Sequence, residues 1–193
     1  MNTIILAGGR SSRMGQNKAL MKLNGEQVIK RLIKEFEPIS KKVILIANDH
    51  SPYTNLGVKV KEDILGYRGQ GPLAGMYTGL KEVSTGYCLV VACDMPFAAQ
   101  ELALKMVKMM TEYDCDAVIP VTDQHTHPLF SIYNARIVDQ VKAVLETERR
   151  SMKALIERLN VKFHKIDKDL EVVWNMNTLE DYFEAVKMAE RNM

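Results

Sequence analysis

Features that define several classes of protein are missing from this sequence. Its 26 basic and 24 acidic residues leave a formal net charge of only +2, which gives no electrostatic basis for coating nucleic acid or an anionic membrane. No apolar run approaches the roughly 20 residues needed to span a bilayer, and the amino terminus lacks the pattern of a secretory signal. We therefore expect a cytoplasmic protein that binds neither nucleic acid nor membrane.

Cysteine and histidine are also sparse, with three and four residues. The three cysteines, Cys88, Cys93 and Cys115, form neither an even set nor a Cys-x-x-Cys pair, so disulfides and a structural zinc site are not expected. His125 and His127 lie close together but lack the further ligands of a zinc site. No Ser-His-Asp or Cys-His arrangement is evident from spacing.

The hydrophobic pattern of the 193 residues, 47% of them apolar, predicts one α/β domain spanning 1–193. Short apolar runs alternate with amphipathic segments of about ten residues, which is typical of a three-layer αβα sandwich with a mostly parallel, Rossmann-like sheet. The predicted strands are 3–6, 43–47, 58–61, 87–93, 117–121 and 161–166. The predicted helices are 26–36, 73–82, 98–111, 135–145, 151–159 and 179–189.

The most informative stretch is 6–18, which follows the first predicted strand. It has two adjacent glycines, Gly8 and Gly9, and then Arg10, Arg13 and Lys18 with no acid among them. A cationic glycine loop at the carboxyl end of a strand is where open α/β sheets bind nucleotides. The alternative is a solvated turn with incidental basic residues.

This loop fits neither of the two common phosphate motifs. Five residues separate Gly9 from Gly15, and Gln-Asn-Lys follows, whereas a Walker loop has four residues between its glycines and ends in Lys-Ser or Lys-Thr. No Gly-x-Gly-x-x-Gly spacing occurs either. The sequence therefore predicts a nucleotide site of another type.

Polar residues also follow two other predicted strands. Asp94 comes directly after the most apolar run, 87–93, and a carboxylate there could hold Mg²⁺ against phosphate oxygens or cap the next helix. Asn48 follows strand 43–47 and could read a nucleobase or ribose, or cap its own turn. Gly75 and Gly79, within a predicted helix, indicate that something approaches that helix closely.

Several motifs occur in an order that resembles a known family. They are Leu-Ala-Gly-Gly-x-Ser-Ser-Arg-Met-Gly at 6–15, Lys18, Asp63, Gly-Pro-Leu-Ala-Gly at 71–75, Cys93-Asp94-x-Pro96, His127-Pro128 and Asn175-x-Asn177-Thr178. Together they resemble the molybdenum cofactor guanylyltransferases, the MobA family, over nearly the whole chain. Two positions depart from the family pattern: Asn17 stands where an acid is frequent, and Leu179 where a proline is frequent.

The resemblance implies a nucleotidyltransferase domain that transfers GMP from GTP to Mo-molybdopterin and releases pyrophosphate, with Mg²⁺ as the metal and Mn²⁺ as an alternative. It assigns the guanine to the backbone of Leu6, Ala7 and Gly8, the phosphates to Lys18, the nucleoside to Asp63, the metal to Asp94 and added charge at the triphosphate to Arg13. Gly9 and Asn48 complete the predicted nucleotide site. His127, Asn175 and Asn177 are assigned to the pterin half.

The residue types support this chemistry even when the family resemblance is set aside. The acceptor phosphate is already an anion at neutral pH, so the rate must come from positioning and charge neutralisation, which Lys18, Arg13 and Asp94 could supply. The alternatives are a related enzyme that uses CTP on the pterin or an NTP on a sugar phosphate, and a nucleotide-binding module that acts as a sensor or as a chaperone for molybdopterin delivery. Transient contacts with other molybdenum cofactor biosynthesis proteins and recipient molybdoenzymes follow from the resemblance alone.

Overall fold

The computed structural model describes residues 1–8, 17–123, 125–168 and 170–191. The strands in these residues are β1 Asn2–Leu6, β2 Lys22–Leu23, β3 Glu26–Gln27, β4 Val43–Ile46, β5 Lys59–Lys61, β6 Tyr87–Ala92, β7 Ala117–Val121, β8 Phe130–Asn134 and β9 Val161–Lys165. The α-helices are α1 Val28–Phe36, α2 Pro72–Lys81, α3 Gln100–Tyr113, α4 Val138–Leu145, α5 Met152–Ile156 and α6 Leu179–Arg191. No helix among these residues is long and apolar enough to cross a bilayer.

Seven strands form one sheet in the order β5-β4-β1-β6-β8-β7-β9. Every neighbouring pair is parallel except the two that involve β8. The predicted α/β class and mostly parallel sheet are therefore confirmed. β6 is the middle strand, as the continuous apolar run predicted, because a strand covered on both faces needs apolar side chains at every position.

Alternate strand residues point to opposite faces and form two cores. Ile5, Leu45 and Val91 pack on the face covered by α1, α3 and α6. Ile4, Ile46 and Val90 pack on the face covered by α2, α4 and α5. Because successive side chains of a strand alternate, this arrangement gives the three layers that were predicted.

Helix α2 lies unusually close to β1, as its two glycines predicted. A Cβ atom added at Gly79 would lie 2.5 Å from Cγ2 of Ile4, and one added at Gly75 would lie 3.0 Å from Cδ2 of Leu6. The neighbour that requires glycine is therefore the sheet itself. This contact holds the start of α2 against the carboxyl end of β1.

Several local predictions differ from the structure: α3 and α4 begin later than predicted, at Gln100 and Val138, and α5 ends earlier, at Ile156. Helix α1 begins at Val28 and not at residue 26, because Asn24 and Gly25 adopt positive φ values of 51° and 80° and form a tight turn that pairs β2 with β3. The antiparallel strand β8 was not predicted, although Phe130, Ile132 and Tyr133 are residue types that favour a strand. It extends the sheet beyond β6.

Candidate active site

A cleft of about 250 Å³ opens at the carboxyl ends of β1, β4 and β6. The predicted site residues that line it are Leu6, Ala7, Gly8, Lys18, Asp63 and Asp94. These residues come from separate parts of the chain. The parallel strands β1, β4, β5 and β6 bring them together because their carboxyl ends lie at the same edge of the sheet.

Lys18 and Asp94 face each other in this cleft. Nζ of Lys18 lies 3.7 Å from Oδ2 of Asp94, and the two side chains are 16% and 27% exposed. Lys18 begins a short 3₁₀ turn that Asn17 caps: Oδ1 of Asn17 accepts a hydrogen bond from the Ala19 N–H at 3.1 Å. Nδ2 of Asn17 donates to the buried hydroxyl of Tyr53 at 2.8 Å. Lys18 therefore projects from a firmly held turn.

Asp94 does not cap the helix that follows it, so the capping interpretation of this residue is wrong. β6 ends at Ala92 and α3 begins only at Gln100, whose N–H donates to Oε1 of Glu35 at 2.8 Å. Burial raises the pKa of Asp94 above its ordinary value, although attraction to Lys18 opposes the shift. Asp94 is thus a half-buried carboxylate, and its protein neighbours offset only part of the free-energy cost of burying its charge.

The donor set of the cleft suits a divalent cation that arrives with phosphates. Magnesium is typically held by one or two carboxylates, several waters and the phosphate oxygens of the substrate. Within the described ranges no group of three or more His, Cys, Asp or Glu side chains could hold a metal by itself. Asp94 lines the cleft and therefore fits a site in which one carboxylate and the phosphates of the substrate hold the magnesium together.

Asn48 and Asp63 form a reciprocal pair at the rim of the cleft. Nδ2 of Asn48 donates to Oδ2 of Asp63 at 2.8 Å, and Oδ1 of Asn48 accepts from the Asp63 N–H at 3.0 Å. The Gly69 N–H also donates to Oδ2 of Asp63, at 3.2 Å. Both ends of the Asn48 amide are therefore used to orient Asp63.

The residues assigned to the pterin half lie in two places. Oδ1 of Asn177 accepts a hydrogen bond from Nζ of Lys18 at 3.0 Å, while Asn175 is exposed. His127 lies on the connection between β7 and β8, with Nε2 3.3 Å from Oγ1 of Thr122, and burial lowers its pKa. The structure brings Asn177 directly to Lys18 and leaves His127 outside the lining of the cleft.

The sequence also matches the model of a known protein family. The model of the MobA-like NTP transferase domain matches residues 3–163, which include β1, β6 and every described residue of the cleft. The chain belongs to the MobA-like NTP transferase family.

Individual members of the family match almost end to end. A protein of Bacillus cereus strain G9842 named "Probable molybdenum cofactor guanylyltransferase" is 33% identical over 192 residues, covering 95% of this chain and 94% of its own. A protein of the same name from Clostridium perfringens is 35% identical over 197 residues, covering 96% of each chain. The crystal structure of molybdopterin-guanine dinucleotide biosynthesis protein A from Archaeoglobus fulgidus superposes with a TM-score of 0.85 at 26% identity, covering 99% of this chain and 100% of that one.

Sequence reasoning missed some contacts of this MobA-like NTP transferase. The link from Asn17 to Tyr53 and the link from Lys18 to Asn177 join distant segments, and no local pattern signals them. Thr178 and Asp181 have the spacing of a helix capping box, but the role of Asp181 was not predicted from it. The predicted residues Gly9 and Arg13 lie outside the described residues.

Proposed function

We propose that this MobA-like NTP transferase transfers GMP from GTP to Mo-molybdopterin, giving the guanine dinucleotide form of the cofactor and pyrophosphate. The observation that carries the proposal is that Lys18 and Asp94 meet in one cleft beside the main chain of residues 6–8. The names of the relatives and of the similar crystal structure state the same pterin chemistry. GTP and Mo-molybdopterin are accordingly the proposed substrates.

The reaction needs charge neutralisation more than proton transfer. A phosphate oxygen of Mo-molybdopterin attacks the α-phosphorus of GTP, the bond from the α-phosphorus to the bridging oxygen breaks, and pyrophosphate leaves with the electron pair. Because the attacking oxygen is already anionic, no strong general base is required. The ammonium group of Lys18 donates hydrogen bonds to phosphate oxygens and stabilises the charge that develops on them.

We assign the proposed metal, Mg²⁺ with Mn²⁺ as an alternative, to Asp94 and the phosphates of GTP. When bound, this cation neutralises charge on the departing pyrophosphate. Asp94 contributes the carboxylate, and the main-chain carbonyl of the same residue accepts a hydrogen bond from the Met176 N–H at 2.7 Å, which fixes the backbone at this position. Lys18 faces the same carboxylate, so the residue that would hold the metal and the residue that would hold the phosphates are neighbours in one cleft.

The guanine is proposed to lie on the end of β1. Two main-chain groups there already form hydrogen bonds with the neighbouring strand β4 and with the residue after β6. The Ala7 N–H donates to the Ile46 carbonyl at 2.8 Å, and the Leu6 carbonyl accepts from the Cys93 N–H at 3.0 Å. Base recognition is therefore assigned to the Ala7 carbonyl and the peptide groups of Gly8. Asp63, oriented by its neighbours, is assigned to the nucleoside.

The deciding experiment measures pyrophosphate release from each of the four NTPs with Mg²⁺ and Mo-molybdopterin. We expect release from GTP and from none of the other three NTPs, together with formation of the guanine dinucleotide. A preference for CTP, or turnover only with a sugar phosphate acceptor, would assign the chain to a related nucleotidyltransferase. Tight GTP binding without turnover would instead indicate a sensor or a chaperone for molybdopterin delivery. Contacts with other molybdenum cofactor biosynthesis proteins and recipient molybdoenzymes are proposed on the family alone.

A further inference from the structure

The turn formed by residues 175–178 contacts two charged residues of the cleft, Lys18 through its side chain and Asp94 through its main chain. Oδ1 of Asn177 accepts from Nζ of Lys18 at 3.0 Å. The Met176 N–H donates to the carbonyl of Asp94 at 2.7 Å. Lys18 follows β1 and Asp94 follows β6, so one short turn near the end of the chain connects the two sides of the site.

Asp181, on the first turn of α6, fixes this turn. Its Oδ2 atom accepts hydrogen bonds from the Asn177 N–H at 2.7 Å and from the Thr178 N–H at 2.8 Å. In return, Oγ1 of Thr178 accepts from the Asp181 N–H at 3.1 Å. The pair of bonds between Thr178 and Asp181 is a capping box.

The bond to Asn177 goes beyond what a capping box requires. A box satisfies the N–H of the capping residue and the N–H three positions later, whereas Asp181 also holds the residue before the cap. That residue carries the oxygen that accepts from Lys18. Burial raises the pKa of Asp181, but hydrogen bonds from the N–H groups of Thr178 and Asn177 lower it. The charge of Lys18 lowers it further, and the net shift of the pKa is downward.

We infer that Asp181 is a positioning residue of the transferase site: it fixes the 175–178 turn and, through Asn177, holds Lys18 opposite Asp94. Asp181 is not among the residues that line the cleft. It acts by keeping one hydrogen-bond acceptor in place, 3.0 Å from the Lys18 ammonium. The inference rests on the proposed function for its catalytic consequence but not for its geometry.

A double-mutant cycle tests the route through Asn177. A misplaced contact group costs up to about 10²-fold in rate, so D181A is expected to lower kcat for pyrophosphate release by between about 10- and 100-fold, with KM for GTP changed less than about threefold. In an N177A background the same change should lower kcat by less than about threefold, because the acceptor that it positions is already gone. Full additivity of the two changes would overturn the proposed route.

The matched control is T178A, which removes the other half of the capping box. Both D181A and T178A are expected to lower Tm by roughly 2 to 8 °C, the size of a lost cap. T178A leaves the Asp181 bond to Asn177 intact and should keep kcat within about twofold of the wild type. Equal losses of kcat in the two variants would show that Asp181 is only a helix cap.

A readout that needs no turnover separates this inference from the proposed function. Acetylation of Lys18 by acetic anhydride, followed by mass spectrometry and normalised to the exposed Lys30, reports how tightly the Lys18 ammonium is held. D181A should raise the relative rate several-fold, and T178A should not. An unchanged rate in D181A overturns the inference whatever the substrate. A raised rate together with no GTP turnover by the wild type would reject only the proposed function.

Discussion

The ammonium group of Lys18 lies 3.7 Å from the carboxylate of Asp94. This distance is too long for a strong hydrogen bond but short enough for electrostatic attraction between the two charges. Asn177 supplies the nearer partner of Lys18, at 3.0 Å. The two charges therefore pair loosely across the cleft. A triphosphate with its cation can replace this contact with better ones on both sides, which is the behaviour expected of a site built for a polyanion.

Replacement of Lys18 by alanine should remove one of these new contacts. We expect K18A to lower the rate of pyrophosphate release at saturating GTP by about 10² to 10³, the usual cost of losing one preorganised electrostatic contact. K30A, at an exposed position of α1, is the matched control and should keep the wild-type rate. Steady-state kinetics and circular dichroism of both variants provide the check, and a fully active K18A would reject the role given to Lys18.

Neutralisation of Asp94 should increase stability while it abolishes catalysis. Burial raises the pKa of Asp94, and this net shift already includes the attraction of Lys18. The ionised carboxylate therefore destabilises the folded state at neutral pH. D94N is expected to increase the free energy of unfolding by roughly 0.5 to 2 kcal/mol at pH 7 and to lower the transfer rate by at least about 10².

The pH dependence of this gain has a definite sign. A raised folded-state pKa means that the cost of ionisation is absent below the unfolded-state pKa of about 3.9 and grows as the pH rises through the folded-state value. The advantage of D94N should thus disappear as the pH falls towards about 4. Urea unfolding at pH 7 and pH 4 measures it, with D139N, at an exposed carboxylate, as control. An advantage for D94N that persisted unchanged at pH 4 would contradict the assignment of its cause to burial.

Much of the fold could be predicted because the signals were local. The continuous apolar run of β6 indicated a central strand, and the polar residue after it, Asp94, was therefore expected at the edge that binds ligands. The two glycines of α2 indicated a close neighbour. The start of α1 was predicted wrongly because two local signals compete there. Hydrophobic periodicity assigned residues 26 and 27 to the helix, whereas the Asn24-Gly25 turn places them in a hairpin.

The site itself could be predicted only in part, for a different reason. Lys18 stood out as a basic residue of the glycine loop and Asp63 only through the family resemblance, but a sequence does not reveal which distant side chains meet. The bond from Lys18 to Asn177, 159 residues further along the chain, depends on how α6 packs against the rest of the fold. The pairing of Asn48 with Asp63 likewise depends on the adjacent ends of β4 and β5.

The reciprocal bonds between Asn48 and Asp63 give a prediction about GTP affinity. N48A should loosen the Asp63 carboxylate and raise KM for GTP by about tenfold, which corresponds to about 1.4 kcal/mol, near the contribution of a hydrogen bond to a charged group. The effect should be smaller in a D63N background because the two changes act on one contact. N55A, at an exposed asparagine, is the control. Equal effects of N48A in both backgrounds would mean that Asn48 contacts the nucleotide independently.

The close contact of α2 with β1 gives a prediction about stability. A methyl group at Gly79 would lie 2.5 Å from Cγ2 and 2.9 Å from Cδ1 of Ile4, in a core where neither the strand nor the helix can move freely. G79A should therefore decrease the free energy of unfolding by about 1 to 3 kcal/mol, despite the better helix propensity of alanine. G66A, whose added Cβ would meet nothing within 4 Å, should change stability by less than about 0.5 kcal/mol.

Combination of G79A with a smaller residue at position 4 tests the cause. If the methyl group of G79A clashes with Ile4, then I4A should remove the clash, and the double variant G79A/I4A should be less destabilised than the sum of the two single variants by at least about 0.5 kcal/mol. Urea unfolding of the four proteins in the cycle measures this coupling. Strict additivity would mean that Ile4 is not the obstacle, and the need for glycine at position 79 would then lie in the helix backbone and not in the approach of the sheet.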